Sequence, residues 1–322
     1  MKRRDLLGLG LVAGLAACGG AESGTPEADG PHAAVVTTQA ERILAAVDVA
    51  LARAFQARNP RLLGARAVGP AGRALTARLT VAGKRNITLA APGPLTLRRL
   101  VLPAAGDWPR WIVAAGTLPG QTTPVLRVLR SLGPREPYGL WGDLTLLPGA
   151  TLPAVATPFT GTPLLAPDAG AGLVRAPWAV VQDYASALMS TTATGPGSRF
   201  APDQFRQQVA GQFAKDRGLL GSLARVDATH RPSADGMVAL RTADGGALIV
   251  AALEQLYTVT VRPGSGQVTL DADLAALAGV PRIGRTVQRT SVETVAFAVP
   301  PSGGGRVSVL AAAKGDVSAV GS

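Results

Sequence analysis

Residues 247–261, ALIVAALEQLYTVTV, carry the aliphatic, β-branched and aromatic side chains that are typical of a long β-strand. Apolar side chains that would share one face of a sheet recur along it, namely Ile249, Ala251, Leu253, Tyr257, Val259 and Val261. The pair Asp244-Gly245 just before it suits the type I′ turn of a hairpin. The stretch therefore predicts a long antiparallel strand that begins after a tight turn.

The segments around this strand predict helices followed by more strands. Helices are predicted at 178–189, 202–220 and 271–277, the last capped by Asp271, and strands at 224–230, 237–242 and in a hairpin over 286–314 that turns at 300–305. The first half repeats this order. It has helical patterns at 39–58, 62–67 and 71–81 and strand patterns at 96–102, 111–118, 125–131 and 139–147. Helices first and strands afterwards indicate an α+β fold.

Six prolines, the first at Pro148 and the last at Pro177, separate the two halves, so we predict two tandem domains. The predicted boundaries are a signal peptide at 1–17, a flexible tether at 18–37, domain 1 at 38–148, a Pro/Gly-rich linker at 149–177 and domain 2 at 178–322. Each predicted domain, with helices packed on a curved antiparallel sheet, resembles the cone-shaped nuclear transport factor 2 fold or a cystatin-like fold. This likeness concerns the fold and implies no function.

The first eighteen residues look like an export signal. Cationic residues at positions 2–4 precede an apolar run of about a dozen residues, whereas a transmembrane helix needs about twenty. The ending Leu15-Ala16-Ala17-Cys18 resembles the lipobox of bacterial lipoproteins, which implies a Cys18 carrying fatty acyl chains such as palmitate. Two acyl chains suffice for stable membrane attachment. We therefore expect Cys18 to anchor the protein to the outer face of the cytoplasmic membrane.

Two further properties bear on export and partners. Lys2-Arg3-Arg4-Asp5-Leu6-Leu7 resembles the twin-arginine motif, so export by the general secretory or the twin-arginine route stays open. Cys18 is the only cysteine, so no intramolecular disulfide can form. The formal net charge of +11 fits either an anionic polymer as partner or the codon bias of a high-GC genome. The sequence contains no run of five or more basic residues, so it does not predict nucleic-acid binding.

Several segments resemble a family of predicted actinobacterial lipoproteins built around a domain of unknown function. They are Leu100–Pro103, Asp107–Trp111, Gln121–Leu126, Tyr138–Trp141, Leu147–Ala150, Arg241–Leu248 and Ala312–Val317. The resemblance covers most of the chain after the signal. It implies an exported, lipid-anchored protein without an assigned activity, and it carries no catalytic or binding residue.

The sequence offers little for catalysis. His230 is the only histidine in either predicted domain, so a site with several histidine ligands is excluded there, and no Gly-x-Ser-x-Gly motif is present. Asp271 and Asp273 fit either a cation site or the start of a helix, and the helix start is the commoner role. We therefore predict no catalytic residue, no metal and no cofactor.

Two groups of residues remain as candidates for ligand binding. Tryptophans and a tyrosine fall close together around one arginine, a combination that suits a sugar or peptide ligand or, alternatively, fills a core; the residues are Trp108, Arg110, Trp111, Tyr138 and Trp141. Asp183 and Tyr184 lie where enzymes of the suspected fold place an acid or base. In the alternative interpretation they are a solvated aspartate and a core tyrosine.

These observations favour a membrane-anchored, non-enzymatic module that binds an envelope protein or an anionic envelope polymer. The alternative is a cavity enzyme, a hydrolase or isomerase, that acts through acid and tyrosine groups. A cavity of at least about 300 Å³ with a titratable group inside is required for the enzyme.

Overall fold

A computed structural model of the protein describes residues 32–157, 159–189 and 195–322. The predicted signal peptide, Cys18 and residues 18–31 of the predicted tether lie outside the described residues. Residues just after them are packed on the fold, because the Ala34 amide donates to the Pro103 carbonyl and Val35 is buried.

The helices lie close to their predicted positions. They are α1 (Thr37–Ala57), α2 (Gly69–Arg85), α3 (Pro177–Met189), α4 (Gln204–Leu220) and α5 (Ala272–Ala278), with 3₁₀ segments at Pro60–Arg66 and Gly195–Arg199. In α1 the buried residues Leu44, Val47 and Leu51 follow the predicted stripe. Asp271 accepts two amide hydrogen bonds at the start of α5, which confirms its capping role.

Ten strands are present in the described residues, eight of them in one antiparallel sheet. They are β1 (Thr96–Val101), β2 (Arg110–Thr117), β3 (Val125–Ser131), β4 (Gly139–Leu146), β5 (Ala224–Arg241), β6 (Ala247–Val261), β7 (Val268–Thr269), β8 (Arg282–Ile283), β9 (Thr286–Val299) and β10 (Ser308–Gly321). The two strands predicted at 224–230 and 237–242 are a single strand whose pairing is irregular between Pro232 and Met237. The closing hairpin also runs on to Gly321, beyond its predicted end.

The large sheet joins the two halves of the chain. Its order is β1-β2-β3-β4-β10-β9-β6-β5. Strand β10 pairs with β4 at two positions, where Ala311 lies opposite Leu146 and Ala312 lies opposite Thr145. The structure therefore shows an α+β fold with one large antiparallel sheet. A tandem pair of nuclear transport factor 2-like or cystatin-like domains is not confirmed, because strands of both predicted domains are hydrogen-bonded neighbours.

The predicted linker connects the two edges of this sheet. The Thr162 amide donates to the Leu102 carbonyl just after β1, and the Leu165 amide donates to the Ala239 carbonyl of β5, at 2.8 and 2.9 Å. Four consecutive residues span only about 10 Å, so the sheet curls until its edge strands are near each other. The segment also covers edges that would otherwise expose unpaired backbone groups.

The curled sheet has an apolar core on its inner side and helices on its outer side. The inner core contains side chains from β2–β4 that meet side chains from β5, β6, β9 and β10. Helix α1 covers the outer face of β1–β4, and α3 with the first turns of α4 covers that of β5, β6, β9 and β10. Both faces of β6 are therefore buried, and for this reason apolar residues occupy consecutive positions in this strand and not only every second position.

Among the residues that the structure describes, no helix combines the length and the apolar character needed to cross a bilayer.

Candidate binding grooves

The sheet opens where β4 and β10 separate. These strands pair over only two residue positions, after which β10 stays paired with β9 alone. Helix α2 packs at this opening, and a Cβ on Gly315 would lie 2.7 Å from the Cβ of Ala74. Glycine at position 315 therefore lets the helix approach the strand closely.

A first groove of about 870 Å³ lies beside this opening. Its walls come from α1, α2, the chain at 87–93 and the parting strands, and they include Phe55, Leu75 and Leu89. Arg78 lies over the Phe55 ring at 5.4 Å from its centroid, so the rim of the groove carries a cation. The first groove thus combines an apolar wall with charged side chains of both signs, since Asp143, Asp273 and Asp316 also line it.

A second groove of about 810 Å³ lies between the β3–β4 region and α4. Thr123, Phe205 and Gln208 contribute to its walls. The two grooves share Thr145, Ala313 and Lys314 as lining residues, so they meet at the point where β4 leaves β10. A ligand longer than either groove is able to occupy both.

Lys314, at this junction, is the partly exposed member of a ring of polar side chains whose other members have buried side chains. Its Nζ donates to Gln255 Oε1 at 2.6 Å and lies 3.4 Å from Glu293 Oε1. Gln255 Nε2 is 3.2 Å from His230 Nε2, and His230 Nδ1 is 2.8 Å from Glu293 Oε2. Because the Gln255 oxygen already accepts from lysine, its amide nitrogen donates to His230, whose Nδ1–H then donates to Glu293.

This arrangement fixes the roles of the ring members. The His230 side chain is 1% exposed and both of its nitrogens are engaged, so it is a structural group rather than a free base. Burial lowers the pKa of the Lys314 ammonium, and the nearby Glu293 carboxylate opposes that shift. Lys314 therefore places a largely compensated positive charge at the junction.

A second buried ion cluster lies beneath the first groove. Arg127 of β3 is fully buried and donates to Asp48 of α1 at 2.5 Å and to Asp143 of β4 at 3.0 Å. Asp143 lines the first groove, and its Oδ1 is buried without a partner among the described residues. Burial raises the pKa of Asp48, against the opposing influence of Arg127.

The predicted aromatic group does not form one surface. Trp111 and Trp141 are buried in the inner core with their rings edge to face at 5.2 Å, and Arg130 lies over both. Tyr138 is buried in the separate core beneath α1, where burial raises the pKa of its hydroxyl. The two tryptophans are core residues, which the sequence analysis left as the alternative.

Trp108 and Arg110 form a separate half-buried pair. The Arg110 guanidinium stacks over the Trp108 ring at 4.6 Å from its centroid. Neither residue lines either of the two grooves described above.

Asp183 and Tyr184 point to different surroundings. Tyr184 is fully buried against Phe200 and Phe297, and its hydroxyl donates to Asp203 at 2.9 Å. Burial, followed by the Asp203 carboxylate, raises the pKa of this hydroxyl far above its ordinary value. Asp183 instead lines a small cleft and pairs with arginines. The structure does not bring these two side chains together at one cavity.

In the described part of the chain, no three histidine, cysteine or acidic side chains are grouped as a metal site. Sequence reasoning did not identify Lys314, Arg127 or Asp143 as site residues. A signal was available for Lys314, which is a single charged residue among the small residues Ala311–Gly315 within a predicted strand.

The fold and grooves define an α+β protein whose eight-stranded antiparallel sheet carries two joined surface grooves. A family model described as Domain of unknown function (DUF8094) matches residues 31–321, so the chain belongs to that family. This match confirms the part of the sequence resemblance that concerns a domain of unknown function. No curated protein and no solved structure matches the chain, and likeness to nuclear transport factor 2 is not confirmed.

Proposed function

We propose that this protein is an exported, lipid-anchored and non-enzymatic binding module whose joined grooves hold an extended segment of a partner protein. The observation that carries the proposal is the meeting of two large grooves at Thr145, Ala313 and Lys314. Such an elongated site suits a chain-like ligand better than a compact substrate. An envelope polymer is the other chain-like ligand that the sequence analysis considered.

The strands that form the floor of the site favour a polypeptide as the ligand. Where β4 and β10 part, their strand neighbours are β3 and β9 respectively, and the other edge of β4 is taken only at Leu140 among the described residues, where the carbonyl accepts from the Val68 amide. Parting strands offer backbone donors and acceptors to an added extended chain, while apolar walls accept its alternate side chains. Phe55, Leu75 and Leu89 supply such walls in the first groove.

The alternative of a cavity enzyme depends on Asp183 and Tyr184 acting together. Tyr184 is enclosed by two phenylalanines and held by Asp203, whereas Asp183 faces the small cleft. Their separation supports binding over catalysis.

Photo-crosslinking in intact cells tests the groove proposal. A benzophenone amino acid at Ala91 in the first groove or at Gln208 in the second is expected to capture the same partner polypeptide, because one ligand occupies both grooves. Ala52, an exposed position on α1 that lines neither groove, is the control. Adducts of equal yield at Ala52, or adducts that contain glycan and no peptide, would contradict the proposal.

Lipid anchoring has its own test. Cys18→Ser is expected either to move the protein from the detergent phase to the aqueous phase in detergent partitioning or to block removal of the signal, because the thiol that carries the acyl chains is lost. Ser23→Ala, a change of similar size in the same stretch, is the control and should partition like the wild type. Unchanged partitioning of the Cys18→Ser protein would rule out the anchor without affecting the groove.

A further inference from the structure

Three arginines surround a cleft that shares no lining residue with the two grooves. Arg175, Arg199 and Arg306 line it, together with Asp183, and its volume is about 300 Å³. This is the lower end of the range for small-molecule sites, about 300–1,000 Å³. With three guanidinium groups and one carboxylate, the cleft has a local charge of +2.

Asp183 holds two of these arginines in place. Its carboxylate accepts from Arg175 Nε at 2.9 Å and lies 2.9 Å from Arg199 Nη1. Each guanidinium has five N–H donors, so both keep donors that Asp183 does not use. Arg306 is exposed at the cleft, and its guanidinium forms no hydrogen bond or ion pair with the other residues that the structure describes.

The backbone fixes the three segments that carry the arginines. The Val307 amide donates to the Arg199 carbonyl at 2.9 Å, which holds Arg199 beside Arg306. The Val174 amide donates to the Pro300 carbonyl at 3.1 Å, which ties the chain before Arg175 to the β9–β10 turn. The cleft is therefore organised before any ligand binds, which lowers the entropic cost of binding.

The rest of the wall is apolar. Val180 and Phe200 are almost fully buried residues at the cleft, and Val174 lies at its partly exposed side. A ligand that fits both parts has an anionic oxygen group attached to an apolar or ring-containing body.

We propose that this cleft is a binding site for a phosphate group carried on such a body. Arginine recognises phosphate with two parallel N–H···O hydrogen bonds, and the excess positive charge favours a doubly charged group. The site is independent of the grooves, so its failure would leave the groove proposal standing.

Phenyl phosphate is the probe that tests the site, followed by ³¹P NMR titration of the full chain. Wild-type protein is expected to bind it saturably, and more tightly than inorganic phosphate, because only the former reaches the apolar wall. Arg306→Ala should weaken binding about 10-fold, which corresponds to one charge-assisted hydrogen bond. Arg135→Ala removes an exposed arginine outside the cleft and should leave the affinity unchanged.

Arg199→Gln provides a second variant, which keeps the length of the side chain and should also weaken binding. Arg199 is about half exposed and Arg306 is exposed, so the fold is expected to tolerate both changes, and an unaltered melting temperature confirms this. Absence of saturable binding by the wild type, or equal weakening by Arg306→Ala and Arg135→Ala, would overturn the proposal.

Sedimentation with vesicles of phosphatidylglycerol, using the Cys18→Ser full chain, identifies the source of the phosphate. If Arg306→Ala lowers vesicle binding more than Arg135→Ala, the cleft takes a lipid headgroup. If only phenyl phosphate binding falls, the phosphate belongs to a soluble or polymeric ligand. Both outcomes support the site.

Discussion

Replacement of Arg127 by methionine is expected to lower the free energy of unfolding by about 3–5 kcal/mol, because it leaves two carboxylates without their buried partner. Arg127 is fully buried, and its guanidinium connects Asp48 of α1 with Asp143 of β4. Methionine fills much of the same space, so the loss reports mainly on the uncompensated charges. Urea denaturation at pH 7 measures it.

The pH dependence of the unfolding free energy of this variant provides a second test. Burial raises the pKa of Asp48 even with Arg127 present, and loss of the guanidinium removes an influence that lowers it. A carboxyl whose folded-state pKa is raised binds its proton more tightly when folded. Its contribution to stability is complete below the unfolded-state pKa of about 3.9 and is lost as pH rises through the folded-state value. The loss of unfolding free energy caused by Arg127→Met should therefore become smaller as pH falls from 7 towards 4.

Arg98→Met on β1 is the matched control, because Arg98 is exposed and the change should cost no more than about 0.5 kcal/mol. A deficit that stays the same at pH 4 and pH 7 would show that the two carboxylates are not the cause.

Trp141→Ala is expected to cost about 3–5 kcal/mol of unfolding free energy, since it opens a cavity in the inner core. The ring is fully buried and packs edge to face on Trp111. It also lies against the backbone of Gly69, where a Cβ would come within 2.5 Å of the ring. Trp111→Ala should have a similar cost, and denaturant unfolding measures both.

A double-mutant cycle of Trp111 and Trp141 isolates their mutual contact, for which about 0.5–1.5 kcal/mol is expected. Trp178→Ala on α3 is the control, because Trp178 is 36% exposed and its loss should cost much less. Normal stability of Trp141→Ala would contradict its core role and favour the aromatic ligand site considered from the sequence.

The candidate sites could be predicted from the sequence less completely than the helices and strands that carry them. Trp111 and Trp141 are neighbours because β2, β3 and β4 pair in order, which short hairpin turns between the strands allowed us to expect. Lys314 meets Gln255, His230 and Glu293 because two hairpins, β5–β6 and β9–β10, pair with each other through β6 and β9. No local pattern encodes that meeting. The same holds for Arg175, Arg199 and Arg306, which come from three segments joined only by tertiary hydrogen bonds.

The sequence by itself determined the α+β class, the helices at their caps and apolar stripes, and long strands such as Ala247–Val261, because these depend on periodicity and turn chemistry within a few residues. Only the tertiary structure decided that β4 pairs with β10, that residues 162–165 connect both edges of the sheet, and that grooves form where the strands part. The physical reason is that strand pairing between distant segments is selected by burial of apolar surface over the whole chain. The prolines that predicted a boundary between domains are equally compatible with an extended segment that covers the edges of a single sheet.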